Sequence, residues 1–200
     1  MQTDVFHNSI GKRTMKRDNP WQTLGSRIVY QNPWLRLRED QVIRPDGKEG
    51  IYGVVEIRPS VGIVALNAED EVALVGQWRY AHHKFSWEIP TGGSSGEDAV
   101  IIEAAKRELE EETGLRAARW TPLGCIDNSN GVTTDVAHLY LARGLALGPP
   151  KQDPEERIVT RWVAFPRAVQ MVMNGGITES CSVAALLKVK NLRRSETDRV

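Results

Sequence analysis

Between Arg107 and Leu115 the chain reads RELEEETGL, which places Glu108, Glu111 and Glu112 on one side of a helix. At about 100° per residue, Glu108 and Glu112 fall about 40° apart with Glu111 beside them, whereas Glu103 and Glu110 point roughly the opposite way. Converging like charges cost helix stability, most of all in the last turn, where the helix dipole is already negative. A cation is therefore expected against this face. All-oxygen ligands favour a hard divalent ion, Mg²⁺ or Mn²⁺, which keeps several waters and shares its shell with substrate phosphates. Arg107 lies four residues before Glu111 and four after Glu103, so it can brace the acidic face without being a ligand.

A second constellation is QWRYAHHKFSWEIPTGG, residues 77–93. Pro90 and the Gly92-Gly93 pair leave a backbone that can approach a metal or a phosphate closely. Arg79 and Glu88 read either as an arginine that grips a diphosphate or its distal group with a carboxylate that positions it, or as a structural salt bridge between neighbouring strands. His82 and His83 read as loop residues, because adjacent side chains point apart and do not share one metal.

These residues need elements to carry them. Ser94-x-x-Glu97 is the signature of a capping box, Glu97 and Asp98 suit a positive first turn, and Gly114 suits a left-handed stop, so the acidic segment predicts a helix from its cap to Gly114. Ile102, Ala105 and Leu109 form an apolar stripe that would pack on a sheet and leave the carboxylates at a cleft edge. Strand-like runs occur at 27–30, 34–43, 51–57, 61–66 and 72–77, separated by the turns RPDGK and NAED, which predict hairpins. Further strands are expected at 120–126, 137–142 and 158–164. Two closing helices follow, one with Pro166 in its first turn and Gly175-Gly176 at its end, the other starting near Thr178 and carrying Val183, Leu186 and Leu187 inward.

Composition bounds the rest. Two hundred residues with 40% hydrophobic content can bury one full core, and a formal net charge of zero argues against a nucleic-acid surface. The two cysteines, Cys125 and Cys181, lack metal-site spacing. No apolar run is long enough to span a membrane, and the polar N-terminus lacks a signal-peptide pattern, so a cytoplasmic location and no membrane partner are expected. The organisation expected is a flexible arm (1–19), an N-terminal strand region (20–58), a catalytic domain (59–190) and a tail (191–200).

RELEEETGL preceded by WEIPTGG resembles the Nudix hydrolases, whose signature is G, five residues, E, seven residues, then R-E-U-x-E-E-x-G-U, with U aliphatic. Arg107, Glu108, Leu109, Glu111, Glu112, Gly114 and Leu115 match the second half without a gap. The first half departs from it, because Ala99 stands where the family has Glu and the nearest acid, Glu97, comes two positions early. The resemblance implies an α/β/α sandwich with a mixed sheet, here with an added antiparallel N-terminal strand region. It also implies a carbonyl near Gly92 as a metal ligand beside Glu108, Glu111 and Glu112, with two or three Mg²⁺ or Mn²⁺ ions.

QWRY is similar to the QYRY of ADP-ribose and nucleotide-sugar pyrophosphatases, and SNGVTTDVAHLYLA resembles a loop and strand of that branch. The likeness implies a base sandwiched by aromatics of the N-terminal strands, for which Trp34 and Tyr52 are the candidates, with Arg58 as a polar partner. It implies a general base on a loop after the sheet, where GPPKQDPEERIVTRW offers Glu156 first and Glu155 second. The expected substrate is a nucleoside diphosphate sugar, cleaved to a nucleoside monophosphate and a sugar phosphate, and the N-terminal strands favour a homodimer. Two other readings stay open: a nucleoside triphosphate house-cleaning hydrolase, and a non-catalytic nucleotide-sugar-sensing regulator on the same scaffold.

Overall fold

The computed structural model describes residues 18–95, 100–148 and 157–197. Three antiparallel strands, β1 (Gln22–Gln31), β2 (Leu35–Ile43) and β3 (Glu49–Ile57), form the N-terminal sheet in that order. The β2–β3 hairpin closes at RPDGK, with the Arg44 N–H donating to the Lys48 carbonyl at 2.8 Å and Gly47 at φ +79°, a value that favours glycine.

The rest of the chain builds two more sheets from β4 (Ser60–Ala65), β5 (Glu71–Arg79), β6 (Lys84–Glu88), β7 (Thr91–Gly93), β8 (Leu115–Asp127), β9 (Val136–Leu147) and β10 (Val159–Ala164). Their orders are β7-β4-β9-β8, in which β4 and β9 run parallel, and β10-β5-β6. Helix α1 (Ile101–Thr113) covers one side; α2 (Phe165–Met173) and α3 (Ser180–Thr197) cover the other. This is the α/β/α sandwich with a mixed sheet and a separate antiparallel N-terminal sheet. Strand β4 explains the layering, because both its faces are buried. Val61, Ile63 and Ala65 pack in the α1 layer with Ala104, Ala105 and Leu109, while Val64 joins Leu139, Ala185 and Leu186 in the layer under α2 and α3. A strand covered on both sides reads as a continuous apolar run.

Three local expectations are corrected. The NAED turn does fold the chain back, with the Asn67 N–H donating to the Glu71 carbonyl at 2.9 Å, but β4 and β5 share only the Leu66–Val72 bridge before they enter different sheets. Strand β4 takes the parallel partner β9 instead. Ser94 does not cap the acidic helix, which begins at Ile101 after Val100 with no side-chain cap; Glu97, Asp98 and Ala99 lie outside the described residues. Gly114 ends α1 as expected, at φ +69° with its N–H on the Glu110 carbonyl. Helix α3 continues to Thr197, into the stretch read from sequence as a tail.

Candidate active site

Helix α1 meets the short strand β7 at Gly92. A Cβ built on Gly92 would come closer than 3.0 Å to the Cδ and both carboxylate oxygens of Glu108, so the Glu108 carboxylate occupies the space a side chain would fill. Arg107 braces this arrangement. One of its terminal nitrogens donates to Glu108 at 2.9 Å and to Glu111 at 2.7 Å, and the other donates to the Gly93 carbonyl at 2.8 Å. Burial works against the Arg107 charge, but Glu108 and Glu111 outweigh it and hold its pKa above the usual arginine value. Glu112 is 4% exposed and accepts a hydrogen bond from the Thr91 N–H at 3.0 Å. Glu108 and Glu112 therefore meet the Thr91–Gly93 strand directly, and Glu111 is tied to Glu108 through Arg107.

Among the described residues no three His, Cys, Asp or Glu side chains are gathered closely enough to enclose an ion. The donor chemistry nevertheless suits a hard divalent cation: carboxylate oxygens from Glu108, Glu111 and Glu112, and a backbone carbonyl at Gly92, against which the Glu108 carboxylate lies.

A cavity of about 540 Å³ opens beside Gly92 and is lined by Arg79, Lys84, Glu88, Asp135 and Glu179 among others. Arg79 ends β5 and Glu88 ends β6. Glu88 is 1% exposed, and both its oxygens accept from Arg79, at 3.0 Å from Nε and also from a terminal nitrogen. That hydrogen bond is the main reason the Arg79 pKa lies above the usual value, against the opposing effect of burial. The pair is thus a salt bridge between adjacent strands, and both residues line the cavity. His82 lines the same cavity from a short 3-10 turn.

Another cavity of about 570 Å³ is lined by Trp34, Arg58, Gly93 and Arg107. Ser60 and Asp135 line both cavities. Trp34 is 77% exposed, and Asn32 fixes the turn before it by accepting from the N–H groups of Trp34 and Leu35. Tyr52 is not brought to either cavity. Its hydroxyl donates to the Gly131 carbonyl at 2.6 Å, and Trp21 packs edge-on against its ring with centroids 5.3 Å apart. Glu155 and Glu156 lie outside the described residues.

Sequence reasoning missed the polar wall of the first cavity. Asp135 accepts from Ser60 Oγ at 2.8 Å and from Asn128 Nδ2 at 2.9 Å, and the Asn128 carbonyl oxygen accepts from Ser180 Oγ at 2.8 Å. Glu179 receives the N–H groups of Cys181 and Ser182, at 2.8 and 2.7 Å, and so satisfies the start of α3. Ser182 Oγ donates to Glu179 at 2.7 Å and accepts from the buried Ile89 N–H at 3.0 Å, tying α3 to the loop that leads to Gly92. These residues carry no periodic signal, and only the run SNGVTTDVAHLYLA pointed near one of them.

Comparison with known proteins shows two family matches and several relatives. Residues 21–55 match the family described as nucleoside diphosphate sugar hydrolase N-terminal domain, and residues 56–177 match the NUDIX domain. An ADP-ribose pyrophosphatase from Mycobacterium tuberculosis (strain ATCC 25618 / H37Rv) is 32% identical over 176 residues, covering 86% of this chain and 84% of its own length. A methanol dehydrogenase activator from Bacillus methanolicus is 28% identical over 168 residues, covering 82% and 90%. A crystal structure of an ADP compounds hydrolase superposes with a TM-score of 0.80 at 18% identity, covering 90% of this chain and 98% of that one, a likeness of fold.

Proposed function

Because this chain belongs to the Nudix family, we propose that it hydrolyses the pyrophosphate bond of nucleoside diphosphate sugars, ADP-ribose among them, to a nucleoside monophosphate and a sugar phosphate. The observation that carries this reading is the position of the acidic helix. Gly92 lines the cavity that carries Arg79 and Lys84, Gly93 lines the cavity that carries Trp34 and Arg58, and Glu108 and Arg107 lie against this strip. A substrate with a flat base at one end, a sugar at the other and a diphosphate between them matches that order.

Trp34 offers an exposed face for stacking a base, worth on the order of 1 kcal/mol or more, and Arg58 offers donors at its edge. Arg79, oriented by Glu88, pairs with the diphosphate oxygens on the distal side and offsets charge on the departing phosphate. Glu108, Glu111, Glu112 and the Gly92 carbonyl would hold Mg²⁺ or Mn²⁺, two or three ions, which when bound neutralise diphosphate charge and make a coordinated water more acidic. Arg107 keeps Glu108 and Glu111 in register. Glu156, or Glu155, which precede β10 in sequence and lie outside the described residues, would take the proton of the attacking water. Attack at one phosphorus breaks the bridging P–O bond, and the bridging oxygen leaves with the other phosphate.

No helix among the described residues is long and apolar enough to cross a membrane. Strand β1 exposes Leu24, Ile28, Val29 and Tyr30, an apolar surface suited to a homodimer, which sedimentation would refute by finding a monomer.

The test is Mg²⁺-dependent, phosphatase-coupled turnover on ADP-ribose, ADP-glucose, GDP-mannose, UDP-glucose and nucleoside triphosphates. Selective release from the diphosphate sugars is expected. Activity on triphosphates alone would replace the reading with a house-cleaning hydrolase, and binding without turnover would replace it with a regulator.

A further inference from the structure

The loop between β8 and β9 begins at Asn128 and ends at Asp135, and these two residues are tied to each other twice. The Asn128 N–H donates to the Asp135 carbonyl at 2.9 Å, and Asn128 Nδ2 donates to the Asp135 carboxylate, also at 2.9 Å. The oxygen of the same amide accepts from Ser180 Oγ at 2.8 Å, at the start of α3. The two ends of one amide thus serve opposite needs: the acceptor-only carboxylate takes its N–H, and the hydroxyl donates to its oxygen.

Asp135 is half-buried and lines both cavities. One of its oxygens is held from β4 by Ser60 Oγ at 2.8 Å, and the other is held from α3 through Asn128. Both partners are neutral donors, so the negative charge of Asp135 persists. A nucleoside diphosphate sugar is itself anionic, and what such a carboxylate can take from it is a hydroxyl hydrogen. The direction in which the carboxylate presents its remaining lone pairs is set by the two donors that hold it.

We infer that Asn128 is a positioning residue: its amide links the start of α3 to the Asp135 carboxylate and fixes how that carboxylate meets the substrate in the two cavities it lines. The inference rests on the proposed reading, in which the substrate occupies both cavities. Asn128→Asp tests it, because the change keeps the shape and the acceptor for Ser180 but replaces the donor to Asp135 by a second negative charge. Two carboxylates in contact raise the pKa of one of them, and the proton so retained restores a donor between them. The defect of the variant should therefore fade as pH falls.

The test uses the full chain and ADP-ribose. Equilibrium titration in EDTA gives Kd, and Mg²⁺-supported turnover gives KM and kcat, each as a ratio to wild type at the same pH. At about pH 8, N128D should raise Kd and KM about tenfold and leave kcat within about threefold; at about pH 5.5 the Kd ratio should shrink to about threefold or less. Arg79, His82, Lys84, Glu88, Glu179 and Cys181 line the cavity that Asn128 lines, and Arg58 and Arg107 line the other, but all are present in both proteins and their titration cancels in the ratio. Ser180→Ala releases the amide without adding a charge and should raise Kd about threefold at both pH values. An unchanged Kd in both variants, a deficit of N128D that is the same at both pH values, or a fall in kcat with KM unchanged would overturn the inference. If melting curves show that N128D does not fold, S180A decides alone: a raised Kd upholds the role of Asn128 and an unchanged Kd overturns it. Absence of turnover in the wild type, with the Kd ratios as expected, would reject the hydrolase reading and uphold the role of Asn128.

Discussion

Gly92 and Glu108 share one small volume: the carboxylate of the helix residue lies where the strand residue would carry a Cβ. Gly92→Ala should therefore displace Glu108 and lower kcat by about a hundredfold, the scale of a misplacement of about 1 Å. Gly93→Ala is the control, since a Cβ there meets nothing within 4 Å. Steady-state kinetics of both variants, with melting curves, checks this; equal activity in the two would deny Glu108 a place at the reaction centre.

Glu112→Gln keeps an oxygen for the Thr91 N–H but removes the negative charge. Turnover should fall by at least about a hundredfold while the melting temperature stays close to that of the wild type. A folded variant with near-normal turnover would remove Glu112 from the proposed metal set.

Ser182→Ala deletes the acceptor of the buried Ile89 N–H. Leaving that donor unsatisfied should cost about 1–3 kcal/mol in a urea titration. Because Ile89 leads into Pro90 and Gly92, kcat should fall as well; a stable variant with full kcat would show that α3 does not position the loop.

The two thiols should differ in chemistry. Burial pushes the Cys181 thiol up to about 12, whereas Cys125 is exposed. At pH 8 a thiol reagent should modify one cysteine in the folded protein and two in urea. The unfolded chain releases its Cys181 proton near pH 8.5, while the folded chain keeps it to about 12, so this group lowers stability as pH rises through that window. Cys181→Ala should flatten the alkaline limb of a melting-temperature profile; an unchanged slope relative to wild type would assign that limb elsewhere.

The sequence by itself determined the acidic face. Glu108, Glu111 and Glu112 converge because helical periodicity fixes neighbours at i, i+3 and i+4, and Gly114 ends the helix because a left-handed φ is cheap for glycine. The run from Val61 to Leu66 likewise read as a strand, although its burial on both sides came only with the helices that pack on it. Other features had no local signature. NAED reads as a hairpin turn, yet β4 and β5 separate because parallel pairing with β9 and burial between two helix layers decide the partner. Tyr52 is as aromatic as Trp34, but a hydrogen bond to Gly131, 79 residues away, holds it elsewhere. The contact between Lys84 and Thr178 spans 94 residues, and the union of Ser60 with Asp135 spans 75. Such pairs are set by how the sheet and helices pack, so only the tertiary structure brings their charges and donors to one cavity.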